Sequence, residues 1–304
     1  MTTVHHRIVL QPPVMAALHA RFDQVHGPDV PLGQPGTIAV VTNGMNGLTG
    51  AQMDLMPALK IISCFAAGHE NVDLAAARQR GIWVTHAPGE NAETVADTTL
   101  GLMIAAMRGI LPGDRAVRRG EWNAARSVIR PTLHGSRLGI VGMGKVGHAI
   151  ARRAAAFGMI IAYHTRNPRP DLAWAWNASL RDMAADSDML VLACPGGEAT
   201  RHIVNADVLA ALGPQGFLVN VARGSVVDTA ALVTALREKT IAGAALDVME
   251  GEPVPVPDLL TVENLVLTPH FAGRSPAAQR GQLNTLLANI EAALSGGRPP
   301  QAIG

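Results

Sequence analysis

Short apolar, β-branched runs alternate with amphipathic stretches along the whole chain, the pattern that parallel βαβ units leave in a sequence. In the first third the candidate strands are Thr37–Val41, Lys60–Cys64 and Ile82–Thr85. A helical segment, Asn71–Arg80, lies between the last two and stops at Gly81. A longer helix is predicted from Glu93 to about Arg108, with Val95, Leu100, Met103, Ile104 and Met107 on one stripe. From Arg137 a cleaner series begins: Leu138–Val141, Met159–Tyr163, Met189–Ala193, Phe217–Val221, Ala242–Leu246 and Leu265–Leu267. Helical stretches at Val146–Phe157, Ala206–Leu212 and Thr229–Glu238 separate them, and Ala277–Leu294 reads as a last amphipathic helix. The fold class is therefore α/β, with doubly wound parallel sheets.

Composition narrows the choice. A length of 304 residues suggests two domains at about 150 residues each. Hydrophobic residues make up 48% and charged residues only 16%, which excludes a disordered or fibrous chain. Aromatic residues are 3%, so the core must be packed with Ala, Val, Leu, Ile and Met. Lys plus Arg total 25 against 24 for Asp plus Glu, leaving a net charge of +1 and no bulk attraction for nucleic acid or an anionic membrane. Cys64 and Cys194 cannot build a disulfide framework or a four-ligand zinc site, and His5-His6 has no partner ligands nearby, so no metal is expected. No signal peptide is visible at the start, and the apolar run Leu100–Met107 is far short of the roughly 20 residues that span a bilayer. A cytoplasmic protein is expected.

The most specific local motif is LGIVGMGKVG at 138–147, a strand running into Gly142-x-Gly144-x-x-Gly147 and then an alanine-rich helix. Gly142 permits a tight turn, Gly144 lets a pyrophosphate approach the backbone, and Gly147 lets helix and sheet pack closely. The helix start at Lys145 and Val146 offers free N–H groups and a positive dipole end. Six strands with helical crossovers match the count of a complete dinucleotide-binding sheet. The next strand ends in His164-Thr165-Arg166-Asn167-Pro168-Arg169, without the carboxylate that would bind an adenosine ribose hydroxyl. Arg166 can fork around a 2′-phosphate, with Thr165 and His164 as further donors, so NADP(H) is expected ahead of NAD(H).

Ligands of open parallel sheets bind at the carboxyl ends of the strands. Arg223, Glu252 and His270 all follow such ends, in NVARGSVVD, ALDVMEGEP and LTPH. Reduction of a keto acid needs a fixed cation for the carboxylate and carbonyl, a proton donor titrating near neutrality, and a carboxylate to orient that donor. Arginine, histidine and glutamate fill these roles in that order, although spacing alone leaves Glu250 in competition with Glu252.

AAGHENVD (66–73), GIVGMGKVG (139–147), NVARGSVVD (220–228), ALDVMEGEP (245–253) and LTPHFAG (267–273) together resemble the D-isomer-specific 2-hydroxyacid dehydrogenase family over nearly the whole chain. The resemblance implies the triad Arg223, Glu252 and His270, choosing Glu252 because the family carboxylate immediately precedes proline. It implies backbone N–H groups of Ala67 and Gly68 on the substrate carboxylate, with Arg223 and His270 also touching substrate. It places Asp247 by the nicotinamide carboxamide, Val95 by the ring, and Cys194, Pro195, Val221 and the 164–166 loop along the rest of the cofactor. A cofactor domain at 97–278, inserted into a substrate domain of 1–96 plus 279–304, and a homodimer through the cofactor domains are implied as well. Within the family the chain is most similar to NADPH-dependent glyoxylate/hydroxypyruvate reductases. A bulkier substrate such as phenylpyruvate is the alternative within the enzyme class, and a dinucleotide-sensing, corepressor-like binding protein is the alternative outside it.

Overall fold

A computed structural model describes residues 2–303. The chain divides into two compact units, Met1–Asn91 with Arg274–Gly304, and Ala92–Gly273. The expected boundaries, after 96 and after 278, lie five residues further along the chain at each junction. The helix at each junction packs as one piece, so the division lies in the loop before it.

The first unit starts with β1 (Thr3–His6), α1 (Pro12–His19), β2 (Gln24–His26), β3 (Thr37–Thr42), α2 (Gly50–Asp54), β4 (Ile61–Cys64), α3 (Leu74–Gln79) and β5 (Trp83–Thr85). Its sheet is parallel throughout, in the order β2-β1-β3-β4-β5. The sequence pattern misses β1 and β2 because Thr-Val-His-His and Gln-Val-His carry one apolar side chain each. All four residues of β1 are nonetheless buried, as expected for a strand paired on both sides and covered on both faces. Asp73 fixes the start of α3 by accepting from the Ala76 N–H, three residues inside the predicted 71–80 helix, and the helix ends one residue early, at Gln79.

The second unit contains α4 (Ala92–Arg108), α5 (Ile110–Arg118), α6 (Trp122–Ser127), β6 (Arg137–Val141), α7 (Lys145–Ala156), β7 (Ile160–His164), β8 (Ala175–Trp176), α8 (Leu180–Ala185), β9 (Met189–Leu192), α9 (Ala206–Leu212), β10 (Phe217–Asn220), α10 (Thr229–Arg237), β11 (Gly243–Leu246) and β12 (Leu265–Leu267). Seven parallel strands lie in the order β12-β11-β10-β9-β6-β7-β8. Sequence periodicity accounts for six. The seventh, β8, is a two-residue exposed edge strand, too short to show any alternation.

Side chains alternate across this sheet as a two-residue period requires. Met189, Val191, Phe217 and Val219 face a core with Leu100, Met103 and Met107 of α4 and Ile150 of α7. Leu190, Leu192 and Leu218 face the other, with Leu209 of α9 and Leu232 and Leu236 of α10. Each such buried Leu or Met contributes about 1.5–3 kcal/mol of transfer free energy. With both faces covered, the functional surface is confined to the strand ends. The direction of the strand order reverses between β6 and β9, which is where doubly wound sheets open a crevice.

The chain then returns to the first unit as α11 (Pro276–Leu294), started by Ser275, whose hydroxyl accepts from the Ala278 N–H, and by proline in the first turn. Leu286, Leu287, Ile290 and Ala293 complete a core with Val4, Leu18, Val41 and Ile61.

Candidate active site

The glycine turn closes the gap between β6 and β9. Gly142 has φ +94°, and a Cβ there would stand 2.6 Å from the backbone of Cys194, so both conformation and space demand glycine. At Gly147 a Cβ would run into the Gly142 carbonyl, which is the close helix–turn packing the motif predicts. Gly144 differs. It is the N-cap of α7 with an ordinary φ of −77°, and nothing lies within 4 Å of a Cβ placed there. No group of this chain requires the absence of a side chain at Gly144. The open space above the uncapped start of α7, at Lys145 and Val146, fits a pyrophosphate on helix N–H groups.

The loop after β7 is held by Tyr163, whose buried hydroxyl donates to the Arg169 carbonyl at 3.2 Å and accepts its N–H at 2.8 Å. Two of the three expected phosphate donors are turned inward. The Thr165 hydroxyl donates to the Asn167 carbonyl at 2.6 Å, and His164 gives its Nδ1 proton to the Asn177 carbonyl at 2.9 Å. Arg166 is exposed and carries the loop's guanidinium outward. The carboxylate that follows, Asp171, is paired with Arg169 at 2.7 Å and does not neutralise Arg166. Arg169 also donates to the Met143 carbonyl inside the glycine turn at 3.2 Å, a brace the sequence motif gave no sign of.

Cys194 and Pro195 follow β9 and Val221 follows β10, so these three stand at the carboxyl ends that flank the turn. Burial pushes the Cys194 thiol up to about 11, and it is a neutral wall group at pH 7. Val95 is buried in the second turn of α4.

The three chemical side chains come from the adjacent strand ends of β10, β11 and β12. Asn220, at the end of β10, donates to the Arg223 carbonyl at 2.9 Å and accepts from the Ala222 N–H at 3.0 Å, shaping the loop that presents Arg223. Arg223 donates to the Ala222 carbonyl at 2.7 Å, and its aliphatic stem lies against Gly196. Beyond β12, His270 sits at φ +51°, a conformation most residues avoid. Its turn is imposed by Asp247, which is 2% exposed. The Asp247 carboxylate accepts from Thr268 Oγ1 at 2.6 Å and from the N–H groups of Phe271 and Ala272 at 3.1 and 3.0 Å. The carboxylate that the resemblance implies beside the nicotinamide thus also holds the His270 turn.

His270 Nδ1 stands 2.7 Å from Glu252 Oε2, while Glu252 Oε1 accepts from the Met249 N–H at 2.8 Å. Burial by itself would raise the Glu252 carboxyl. The bond to His270, the Met249 N–H and the positive charges of His270 and Arg223 outweigh it and hold the group below its ordinary range. With Nδ1 engaged, Nε2 is the nitrogen of a half-exposed ring left for a ligand. Glu250, the spacing competitor, is bonded to His202 instead, at 2.8 Å.

Residues 100–272 match the family model described as D-isomer specific 2-hydroxyacid dehydrogenase, NAD binding domain. The chain belongs to the D-isomer specific 2-hydroxyacid dehydrogenase family. It is an NAD(P)-dependent oxidoreductase. Glyoxylate/hydroxypyruvate reductase A of Arabidopsis thaliana is 40% identical over 258 residues, 85% of this chain and 82% of that one. Hydroxyphenylpyruvate reductase of Plectranthus scutellarioides is 39% identical over the same shares of both chains. The NADPH-dependent glyoxylate/hydroxypyruvate reductase of Sinorhizobium meliloti, solved with NADP and malonate, superposes with a TM-score of 0.90 at 37% identity, covering 100% of this chain and 97% of that one.

In this dehydrogenase family member, Ala67 and Gly68 belong to the first unit, on the loop after β4. His86 Nδ1 donates to the Ala67 carbonyl at 2.9 Å, and His69 Nδ1 approaches it at 3.4 Å. Because a trans peptide sets its C=O and N–H antiparallel, anchoring the Ala67 carbonyl fixes the direction of the Gly68 N–H.

Proposed function

We propose that the chain reduces glyoxylate and hydroxypyruvate to D-2-hydroxy acids with NADPH. The 2.7 Å bond between Glu252 and His270 Nδ1, at the carboxyl ends of β11 and β12 in the sheet whose β6 runs into the glycine turn, carries this reading. Gly142, Gly144 and Gly147 with the start of α7 would hold the pyrophosphate, and Arg166 the 2′-phosphate. A reduced nicotinamide, when bound, supplies hydride to the keto carbon. His270 Nε2 delivers the proton to the keto oxygen, and the ionised Glu252 keeps the imidazole oriented and favours its protonated form. Arg223 polarises the carbonyl and pairs with the carboxylate.

Two relatives support the substrate class by name, while the hydroxyphenylpyruvate reductase keeps a bulkier aromatic keto acid as a second reading. A homodimer is part of the proposal. Trp122, at 59% exposure, Ile129, at 97%, Ile110 and Val117 are exposed apolar side chains within 110–129 of the second unit, and a second copy would bury them.

Initial rates with glyoxylate, hydroxypyruvate, pyruvate and phenylpyruvate, each with NADPH and NADH, test the reading. The two small acids should be fastest, and NADPH preferred by about tenfold, one charge-assisted phosphate contact. Arg166→Ala should remove that preference by raising KM for NADPH alone. Faster turnover with NADH, or with phenylpyruvate, would overturn the corresponding half.

A further inference from the structure

His202 precedes α9, outside every motif that the cofactor and the proposed reaction use. Its Nε2 lies 2.8 Å from Glu250 Oε1, and the second oxygen of Glu250 accepts from the Thr229 N–H, at the start of α10, at 3.4 Å. Like His270, His202 is held at positive φ, +50°. A residue other than glycine remains there only when its surroundings over-determine it, since the conformation costs about 1–3 kcal/mol.

Those surroundings are the loop that carries Arg223. The His202 N–H donates to the Ser225 carbonyl at 2.8 Å, Val204 N–H to the Val226 carbonyl at 3.1 Å, and Asp228 N–H to the Val204 carbonyl at 3.0 Å. The 202–204 segment is thus laid along 225–228 like a short parallel strand. Val226 N–H in turn reaches the Arg223 carbonyl at 3.2 Å. On its far side the arginine loop meets the acid loop directly, because a Cβ at Gly224 would collide with the Met249 carbonyl. Met249 is the residue whose N–H holds Glu252. One side-chain hydrogen bond therefore joins the segment clamped to Arg223's loop with the loop that carries Glu252.

We propose that His202 and Glu250 are positioning residues, a strut that keeps the Arg223 loop and the Glu252 loop in register. This rests on the reading that Arg223 and Glu252 act together on a keto acid. Polarisation and proton delivery must converge on one oxygen, and small displacements of either loop separate them. Neither residue of the strut touches substrate.

The test compares His202→Asn, which tolerates the left-handed backbone but cannot reach Glu250, with Glu250→Ala, Glu250→Gln and the double variant His202→Asn/Glu250→Ala. With whichever keto acid the wild type turns over, His202→Asn and Glu250→Ala should lower kcat/KM about ten- to hundredfold, while the Kd for NADPH shifts less than about twofold. Glu250→Gln keeps an acceptor oxygen and should stay within about threefold of wild type, and the double variant should be no worse than the poorer single one. Wild-type kcat/KM in Glu250→Ala overturns the strut. So does a loss of NADPH affinity equal to the loss of turnover, or a double variant showing the product of the single losses. Hydrogen exchange reads the strut without turnover. Amides 223–228 should exchange at least about fivefold faster in Glu250→Ala and not in Glu250→Gln, with 138–150 unchanged. Should the wild type reduce no keto acid, the functional reading fails and exchange alone judges the strut; unchanged exchange at 223–228 overturns it. If His202→Asn does not fold, the two Glu250 variants carry both comparisons.

Discussion

Glu250 and Glu252 stand two residues apart on one loop, and each holds a histidine: His202 at 2.8 Å and His270 at 2.7 Å. Both histidines have positive φ, and both carboxyls lie below their ordinary range despite the upward push of burial. The difference is which ring nitrogen is spent. Glu250 takes Nε2, the tip of the His202 ring, so the side chain ends in that bond. Glu252 takes Nδ1, at the root of the His270 ring, and leaves the tip for a ligand. The same two functional groups become a tie in one orientation and a proton donor in the other. Sequence spacing holds no information about this choice, which is made by the turns that aim the rings.

The largest expected effect breaks the symmetry directly. His270→Gln should reduce kcat/KM by roughly 10²–10⁴, the usual worth of a general acid, against at most about a hundredfold for His202→Asn. NADPH binding, measured by fluorescence titration, should be unchanged in both. Equal losses in the two variants would abolish the distinction. Acid stability, by contrast, should not separate the pairs. A depressed carboxyl contributes stability above its unfolded value of 4.5 and loses it as pH falls through the lower folded value. Glu252→Gln and Glu250→Gln should therefore each be less stable than wild type above about pH 4.5 and converge on it in more acid solution.

A histidine with no carboxylate sharpens the comparison. His5, on β1, is 2% exposed, and its Nδ1 has no hydrogen-bond partner among the described residues. Burial first, then the charges of His26, His6 and Arg7, push it from 6.5 down to about 4. It stays neutral in the folded protein while the unfolded chain takes up a proton. Stability should then fall as pH drops from 6.5 towards 4, at about 1.4 kcal/mol per unit of pKa displacement and by up to about 3 kcal/mol in all. Denaturant unfolding of wild type and His5→Leu across that range measures it. An unaltered slope in His5→Leu would show that another group is responsible.

Legibility in the sequence follows the kind of physics involved. Long periodic elements are plain: Ala206–Leu212 forms over the predicted residues, and α4, α7 and α10 within one or two residues at each end. Strands β1, β2 and β8 are not legible, since they are short and their burial comes from neighbours distant in sequence. At the site, residue types whose spacing encodes chemistry could be named: the three glycines, Arg223 and His270. The groups that aim them could not. Asn220, Asp247 in its turn-forming role, Tyr163 and Arg169 act through a few hydrogen bonds across 2 to 26 residues, and no pattern in composition marks which polar side chain turns inward. A buried asparagine ending a strand and an aspartate between apolar residues are the available signals, and both are weak.

The smallest expected effect lies in how the two histidine turns are built. The His270 turn hangs on one buried carboxylate, with Thr268, Phe271 and Ala272 as donors. His202's turn hangs on a ladder of backbone bonds to 225–228. Side-chain substitution can remove a donor from the first, whereas every donor of the second is a backbone N–H. Thr268→Val keeps the shape of the side chain and removes one of three donors to Asp247, leaving the two backbone N–H groups in place. The loss should be about 1 kcal/mol, one hydrogen bond to a charged acceptor partly made good by the remaining two, and a fall in Tm of about 2–4 °C. Because the remaining donors still define the turn, kcat/KM should drop only a few-fold, with the Kd for NADPH unchanged. A drop as large as that of His270→Gln would mean that Thr268 itself meets the substrate, and that the turn-forming carboxylate is part of the reacting site.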